Sequence, residues 1–432
     1  VGKNNSLLVC FKAKNESIYI NGRPCHVLHN AAQHVSKAFA EASVFFVQDF
    51  LVDLYYYFQG STPRQVGAAE FAGFCDQEYQ RVLKYASTRW LSMKLAVTRA
   101  LKQYRSLKSY FDSQADKKSD LKLIKLKKYF HDPMTEVCLF FYQSVLPVFS
   151  NANSLQKENP QLHHMVDILE SFERKLLGRF MCLDGFANIP LTEIDPMHHH
   201  LSDDKVMIGF SSRRLIQSND ILPVEEKTVV SAAKEFMVAA FRYSREHLPL
   251  TDVVAHLPEA VDFAKRATMD FSNFQFFVKN FETLHDRVGE DMDSLYNKFA
   301  HYHQLSDATI IKCANTSSVF DLELDSLWDI SGQMKATNDI LCFPLLFEVA
   351  KFVLLLPHSN ASEERIFSII QKNRTNFRPN LSLDKALPSI LTCKINHLYH
   401  IPCHKFKPSN DLLCRVKAAT NEYNTKHASF KW

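Results

Sequence analysis

The sequence predicts a mostly α protein with a small α/β part, and three observations carry that expectation. Glycine is scarce, 10 in 432 residues, while Phe, Leu and Lys are abundant. Long apolar runs alternate with charges at the three- and four-residue spacing of amphipathic helices. Only two short stretches read as strands: Ser17 to Ile20, ended by Asn21-Gly22, and Thr309 to Cys313.

Taken in order, Asn4 to Lys12 forms a short helix with LLVCF as its apolar side. Val27 to Phe58 is one long helical pattern, closed by Gly60, Ser61 and Pro63. Val66 to Tyr79 follows, then an extended stretch from Arg81 to Ser87. Thr88-Arg89-Trp90 opens a helix with Leu95, Val97, Leu101, Tyr104 and Leu107 as apolar positions. A basic run, Lys117 to Lys128, interleaves lysines with Leu121, Leu123, Ile124 and Leu126. That is the pattern of a helix with one solvated face, although the lysines could also meet phosphates.

Helical patterns return at Pro133–Phe149, Pro160–Phe180, Lys227–His247 and Phe274–Gln304, with short ones at Pro249–Ala255 and Pro258–Ala264. Asp184 to Lys205, with Pro190, Pro196 and His198-His199-His200, is a long connection. Ser306 to Asp325 is polar and mixed, and a last helix lies within Cys403 to Thr425.

The net charge of +4 permits a nucleic-acid partner without demanding one. The ten cysteines are scattered with no CxxC, which points to free thiols in a reducing compartment. No stretch is a credible membrane span; the most apolar early run, Ala42 to Phe58, carries Gln48, Asp49 and Asp53. The chain starts at Val1, which raises the expectation of residues upstream.

The chain is organised around Cys342 to Asn396. Phe343 to Leu356 has only Glu348 and Lys351 as charges, so it reads as a buried core helix stopped by Pro357. Asn360, with Glu363 three residues on, starts a second helix with Ile366, Phe367, Ile369 and Ile370 on its apolar face. After Pro379, a third helix carries Leu387, Ile390, Leu391 and Ile395, its regular part starting as late as Leu387 because of Pro388.

Here the residues support a resemblance. Leu356-Pro357-x-Ser359-Asn360-Ala361-x-x-Glu364-Arg365-x-Phe367-Ser368, then Arg374-Thr375-x-Phe377-Arg378 and a Leu-rich helix, resembles the C-terminal dimerisation region of hAT-superfamily transposases. The resemblance implies a ribonuclease-H-like domain interrupted by a large all-helical insertion. Residues 1–40 would be a partial first half, residues 41–326 the insertion, and residues 327–432 the returning domain with the dimerisation region. Glu364 then falls at the position of the third carboxylate of a metal-dependent strand-transfer site, where three acids hold two divalent cations. The first-turn position of Glu363 and Glu364 is equally what a helix dipole favours, at about 0.3–1 kcal/mol each.

One carboxylate does not build a two-metal site. The family's two Asp residues would precede Val1, and no Asp occurs before Asp49. The expectation is therefore no enzyme and no cofactor, with Mg²⁺ entering only if an Asp pair stands upstream. No metal is expected elsewhere. Cys25, His26 and His29 lack a fourth ligand, and the family's Cys position holds Arg23. Cys393, His397, His400, Cys403 and His404 are interrupted by Ile401-Pro402.

Arg89-Trp90 resembles the family's Thr-Arg-Trp motif, where the ring can stack on an unpaired base; a core Trp opening an amphipathic helix fits as well. With His26 and Arg365, these are the DNA contacts the resemblance implies. The apolar positions Val353, Leu356, Phe367, Leu387, Ile390, Leu391 and Ile395 are the candidate dimer surface, an apolar patch that needs a partner. Cover by the helical insertion of the same chain is the alternative, and under the resemblance the partner is a second copy.

Three functional readings stay open. The first is a domesticated or decayed hAT transposase-like protein, nuclear, acting through homodimerisation and DNA association. The second is part of a Mg²⁺-dependent transposase whose Asp pair lies upstream. The third is a helical protein-binding scaffold.

Overall fold

Proline and aspartate at helix starts punctuate much of this chain. Asp132 accepts from the Met134 N–H at 2.9 Å and Pro133 takes the first helical position, where a missing N–H costs nothing. Asp120 caps its helix through the Leu123 N–H at 3.1 Å, and Asp270 and Asp291 cap theirs through Ser272 and Ser294.

The computed structural model describes residues 7–14, 24–86, 90–115, 120–155, 162–218, 221–289, 291–314, 316–318, 322–356, 359, 361–375, 378, 381, 386–395, 405 and 407–426. Among them it is mostly α, with no strand and only isolated bridges at Met181–His200 and Lys335–Leu341. The strand expected at Ser17 to Ile20, with Arg23, lies outside the described residues. No helix among the described residues is long and apolar enough to cross a membrane.

The chain divides into two compact units, Val1–Ser359 and Asn360–Trp432. The first begins with α1 (Leu7–Lys14), α2 (Pro24–Ser43), α3 (Val47–Phe58) and α4 (Thr62–Phe74). A non-helical strap over residues 77–86 leads to α5 (Trp90–Lys102) and α6 (Tyr104–Ser113). Then come α7 (Leu121–His131), α8 (Pro133–Ala152), α9 (Leu162–Leu177), α10 (Phe210–Ser218) and α11 (Pro223–His247). The helices from α2 onward enclose one core. At its centre Phe39 of α2 stacks on Phe141 of α8 at 4.9 Å, and Phe236 of α11 meets Phe141 edge-on at 5.4 Å. A second aromatic knot joins Phe111 of α6 and Phe130 of α7, stacked at 4.9 Å.

The same unit holds another core, built from α12 (Val253–His256), α13 (Phe271–Asn280), α14 (Glu282–Val288), α15 (Met292–His303), α16 (Asp307–Ala314), α17 (Leu324–Gln333) and α18 (Pro344–Leu355). Trp328 is its fully buried pivot; the indole N–H donates to the Val261 carbonyl at 2.8 Å. Gly332 of α17 lets the Phe347 ring of α18 come so close that an added Cβ would sit 2.5 Å from it. This core joins Phe274 and Leu295 to Leu327, Phe343 and Val353. It therefore runs across position 327, where the sequence reading put a domain boundary.

Several expected elements differ. The pattern from Val27 to Phe58 is two helices. Ser43 Oγ donates to the Phe39 carbonyl at 2.7 Å and accepts from the Phe45 N–H at 3.3 Å, closing α2 before Val44 turns at φ 60°. The helix from Trp90 onward breaks at Gln103, which turns inward to bond the strap. Phe274 to Gln304 is three helices, interrupted at Phe281 and at Gly289, whose positive φ of 77° suits glycine. The strand expected at Thr309 to Cys313 is helix α16. Ser306 Oγ accepts from Thr309 N–H at its start, and Ile310 is buried in the second core.

The long connection from Asp184 is ordered. Cys182 and Leu201 bond across to His199 and Phe180, and His200 Nε2 lies 2.8 Å from the Pro196 carbonyl.

The second unit comprises α19 (Ala361–Asn373), α20 (Ala386–Ile395) and α21 (Asn410–Lys426). Asn373 links the first two: its amide donates to the Ile369 carbonyl at 2.6 Å, and Lys394 Nζ donates to its oxygen at 2.8 Å.

Candidate functional site

The helices after Phe343 hold the residues singled out for self-association, and their burial sorts them. On α18, Leu346, Val349, Ala350 and Val353 recur at three- and four-residue spacing and are fully buried in the second core. Val353 is therefore a core residue and leaves the surface set. Leu356 is half-buried and packs against both cores of the first unit. Leu355 beside it is exposed.

In the second unit Leu387 is buried at 1% exposure, so it too is a packing residue rather than a free contact. Ile390 and Leu391 are half-buried. Phe367 and Ile395 lie open, at 62% and 47% exposure. The helix α21 is exposed along its described length apart from half-buried Leu412. Leu412, Val416 and Ala419 fall at i, i+4 and i+7, which puts them on one stripe beside exposed Leu413. Arg415 pairs with Asp411 at 2.9 Å one turn away.

Glu364 and Arg365 are exposed in the first turn of α19, beside Glu363. His26 is exposed at the start of α2, whereas Cys25 beside it is buried in the first core. Trp90 is the first residue of α5; Arg89 lies outside the described residues. The His and Cys positions from His397 to His404 lie outside them as well. Among the described residues no three His, Cys, Asp or Glu side chains are placed to hold a metal ion.

The basic run from Lys117 folds from Leu121 onward as α7. Leu123, Leu126 and Phe130 face the core, and Lys125 sits between Asp49 and Asp53, 2.8 Å from the latter. Its charge is locally matched, as a solvated helix face requires. The sequence places the extended stretch and the helix after it, but the basic face they make together emerges only in the fold. Gln103, 1% exposed, accepts from the Gln80 N–H at 2.9 Å and donates to the Gln80 carbonyl at 2.7 Å. Arg99 Nη1 donates to the Arg81 carbonyl at 2.9 Å, and Gln77 Nε2 to the Lys102 carbonyl at 3.1 Å. The available signal was the run from Tyr79 to Phe111, which has eight Lys and Arg residues and no acid.

Elsewhere burial raises titrations without forming a site: the Cys138 thiol and the Tyr142 hydroxyl in the first core are both pushed up by desolvation. No family model, curated protein or solved structure matches this chain significantly.

Proposed function

We propose that this chain is an hAT-transposase-derived protein, nuclear, that works by homodimerisation and DNA association rather than by its own strand-transfer chemistry. The run from Leu356 to Ser368, continued by Arg374 to Leu381, carries the reading. The ribonuclease-H-like relationship rests on that same resemblance.

The exposed apolar side chains of the second unit support it. Phe367, Ile395, Leu413 and Val416 lie on helices of 10 to 17 residues. Isolated helices of that length are marginal in water, and an apolar stripe stabilises them only when another surface covers it. Association is favoured by that open apolar surface, while Glu364 is one of the three acids that two-metal chemistry uses. Mg²⁺ belongs to the reading only if two further carboxylates join it.

Light scattering tests the proposal. The 49.8 kDa chain should run at about twice that mass, and Phe367→Asp with Val416→Asp should return it to the single mass. A wild type that is monomeric across the concentration range would remove the reading. Stable complexes with unrelated proteins in place of self-association would favour a scaffold.

A further inference from the structure

We infer that the strap and the solvent face of α5–α6 form a binding surface for the phosphate backbone of duplex DNA. This deepens the DNA association proposed above and rests on that reading for the choice of polyanion.

The charge is concentrated to an unusual degree. The whole chain has a net charge of +4, yet Tyr79 to Phe111 alone has eight basic residues and no acid, so the remainder is net acidic. Folding brings several of those residues side by side. On α5, Met93, Ala96, Val97 and Ala100 are buried, which turns Lys94, Thr98 and Lys102 outward. The strap runs antiparallel to α5, since Gln77 bonds at Lys102, Arg81 at Arg99, and Ala86 at Ser92. Arg81 and Lys84, both exposed, are thereby laid alongside the helix, and exposed Arg105 precedes Ser106, whose N–H donates to the Gln77 side chain of the strap at 3.3 Å.

None of Arg81, Lys84, Lys94, Lys102 and Arg105 stands in an ion pair with a described residue. The row has acidic limits. Glu78 takes the Gln80 amide at 3.3 Å at one end, and Glu136 faces Lys108 at the other.

The geometry favours nucleic acid over an acidic protein. Lys94 to Lys102 spans about 12 Å of helix, matching roughly three to four base-pair steps of duplex. Among the α5 side chains described, those from Ser92 onward, Leu95 is the large apolar one that is exposed. Protein interfaces need a desolvated apolar or aromatic centre, and this face offers flexible cations instead. Sequence-independent phosphate contact is what such a row can make.

The test uses the full chain and fluorescence anisotropy on a labelled duplex, across about 50 to 200 mM salt. Lys102→Glu with Arg105→Glu is compared with Lys279→Glu and Lys312→Glu, exposed positions on α13 and α16 that change net charge equally. The patch pair should weaken binding about tenfold or more and flatten the log–log salt slope by about 2; the control pair should do much less. Circular dichroism checks that each variant keeps its helices.

Equal losses in the two pairs would overturn the surface while leaving self-association, read by mass, untouched. Wild type that binds no duplex at low salt would overturn it too. So would competition by polyglutamate as effective as competition by unlabelled duplex, which would make this an acidic-protein surface.

Discussion

Glu173 and Ser244 meet inside the packed interface of α9 and α11, with the hydroxyl donating to the carboxylate at 2.7 Å and the Glu173 side chain fully buried. Arg245 lies 3.4 Å from the other carboxylate oxygen. Burial raises the Glu173 pKa to about 7, against the opposing pull of Ser244, Arg245 and Arg174; Glu170 adds to the rise. A carboxylate whose folded pKa exceeds its unfolded value binds more protons when folded. The stability it contributes is therefore complete below about pH 4.5 and is lost as pH rises to about 7. The shift corresponds to roughly 3 kcal/mol. Glu173→Gln removes this titration, so its melting temperature should gain on the wild type between pH 5 and about 8. Parallel melting curves for the two proteins across that window would refute the buried-acid account.

Gly332 sets the distance between α17 and α18. A Cβ there would lie 2.5 Å from Phe347, in a core that already encloses Trp328. Alanine gains about 1 kcal/mol of helix propensity, but overpacking typically costs 1–3 kcal/mol. Clash should win because the atoms it would meet are the base of the Phe347 ring, Cγ and Cδ, not a free end that can swing away. Gly332→Ala should lower the urea midpoint by a net of about 1 kcal/mol or more, with an unchanged m-value. A raised midpoint would mean that the helices part at no cost.

Much of the helical content was legible because caps and stops are local. Asp132-Pro133 marks the start of α8 within two residues of chain. The same locality misled at Thr309 to Cys313. There a β-branched run looked like a strand, but Ser306 caps a helix and the second core receives Ile310. Long patterns were read through their breaks: Gly289 interrupts Phe274 to Gln304, yet the apolar period continues on either side of it. The candidate surface was legible only in part. Helical spacing identifies a stripe that must be covered, but not what covers it. Val353 and Leu387 prove to be packed inside, while Phe367 stays open. The basic strap face was missed because it depends on a missing class of residue and on Gln80 meeting Gln103 across 23 positions.

Gln103 should prove to be the fastening of that strap. Its buried amide satisfies both the N–H and the carbonyl of Gln80. Gln103→Leu keeps much of the volume and removes both bonds. If the strap stayed in place, two backbone groups would be left unpaired, at about 1–3 kcal/mol each. Release to solvent is cheaper, because Gln80 and its neighbours are at most half-buried. Hydrogen exchange around Gln80 should therefore speed up strongly, while α8, α11 and the strap end held by buried Tyr85 keep their protection. Uniform acceleration through the first unit would show instead that Gln103 holds up the core. Loss of duplex affinity in the same variant would tie the strap to the basic face.

Leu387 and Phe367 should part company under the same substitution. Leu387 is 1% exposed and Phe367 is 62% exposed, although both carry apolar side chains on neighbouring helices of the second unit. An aspartate at position 387 places a charge where no water reaches, costing several kcal/mol and unfolding the α19–α20 pair. An aspartate at position 367 replaces an exposed ring and should change stability by less than about 0.5 kcal/mol in the isolated chain. If a second copy covers that ring, Phe367→Asp must nonetheless lower the solution mass at unchanged helical content. Leu387→Asp lowers helicity first. Finding the same loss of helicity in both variants would mean that Phe367 is a core residue, and the self-association surface would then have to lie on Ile395 and α21.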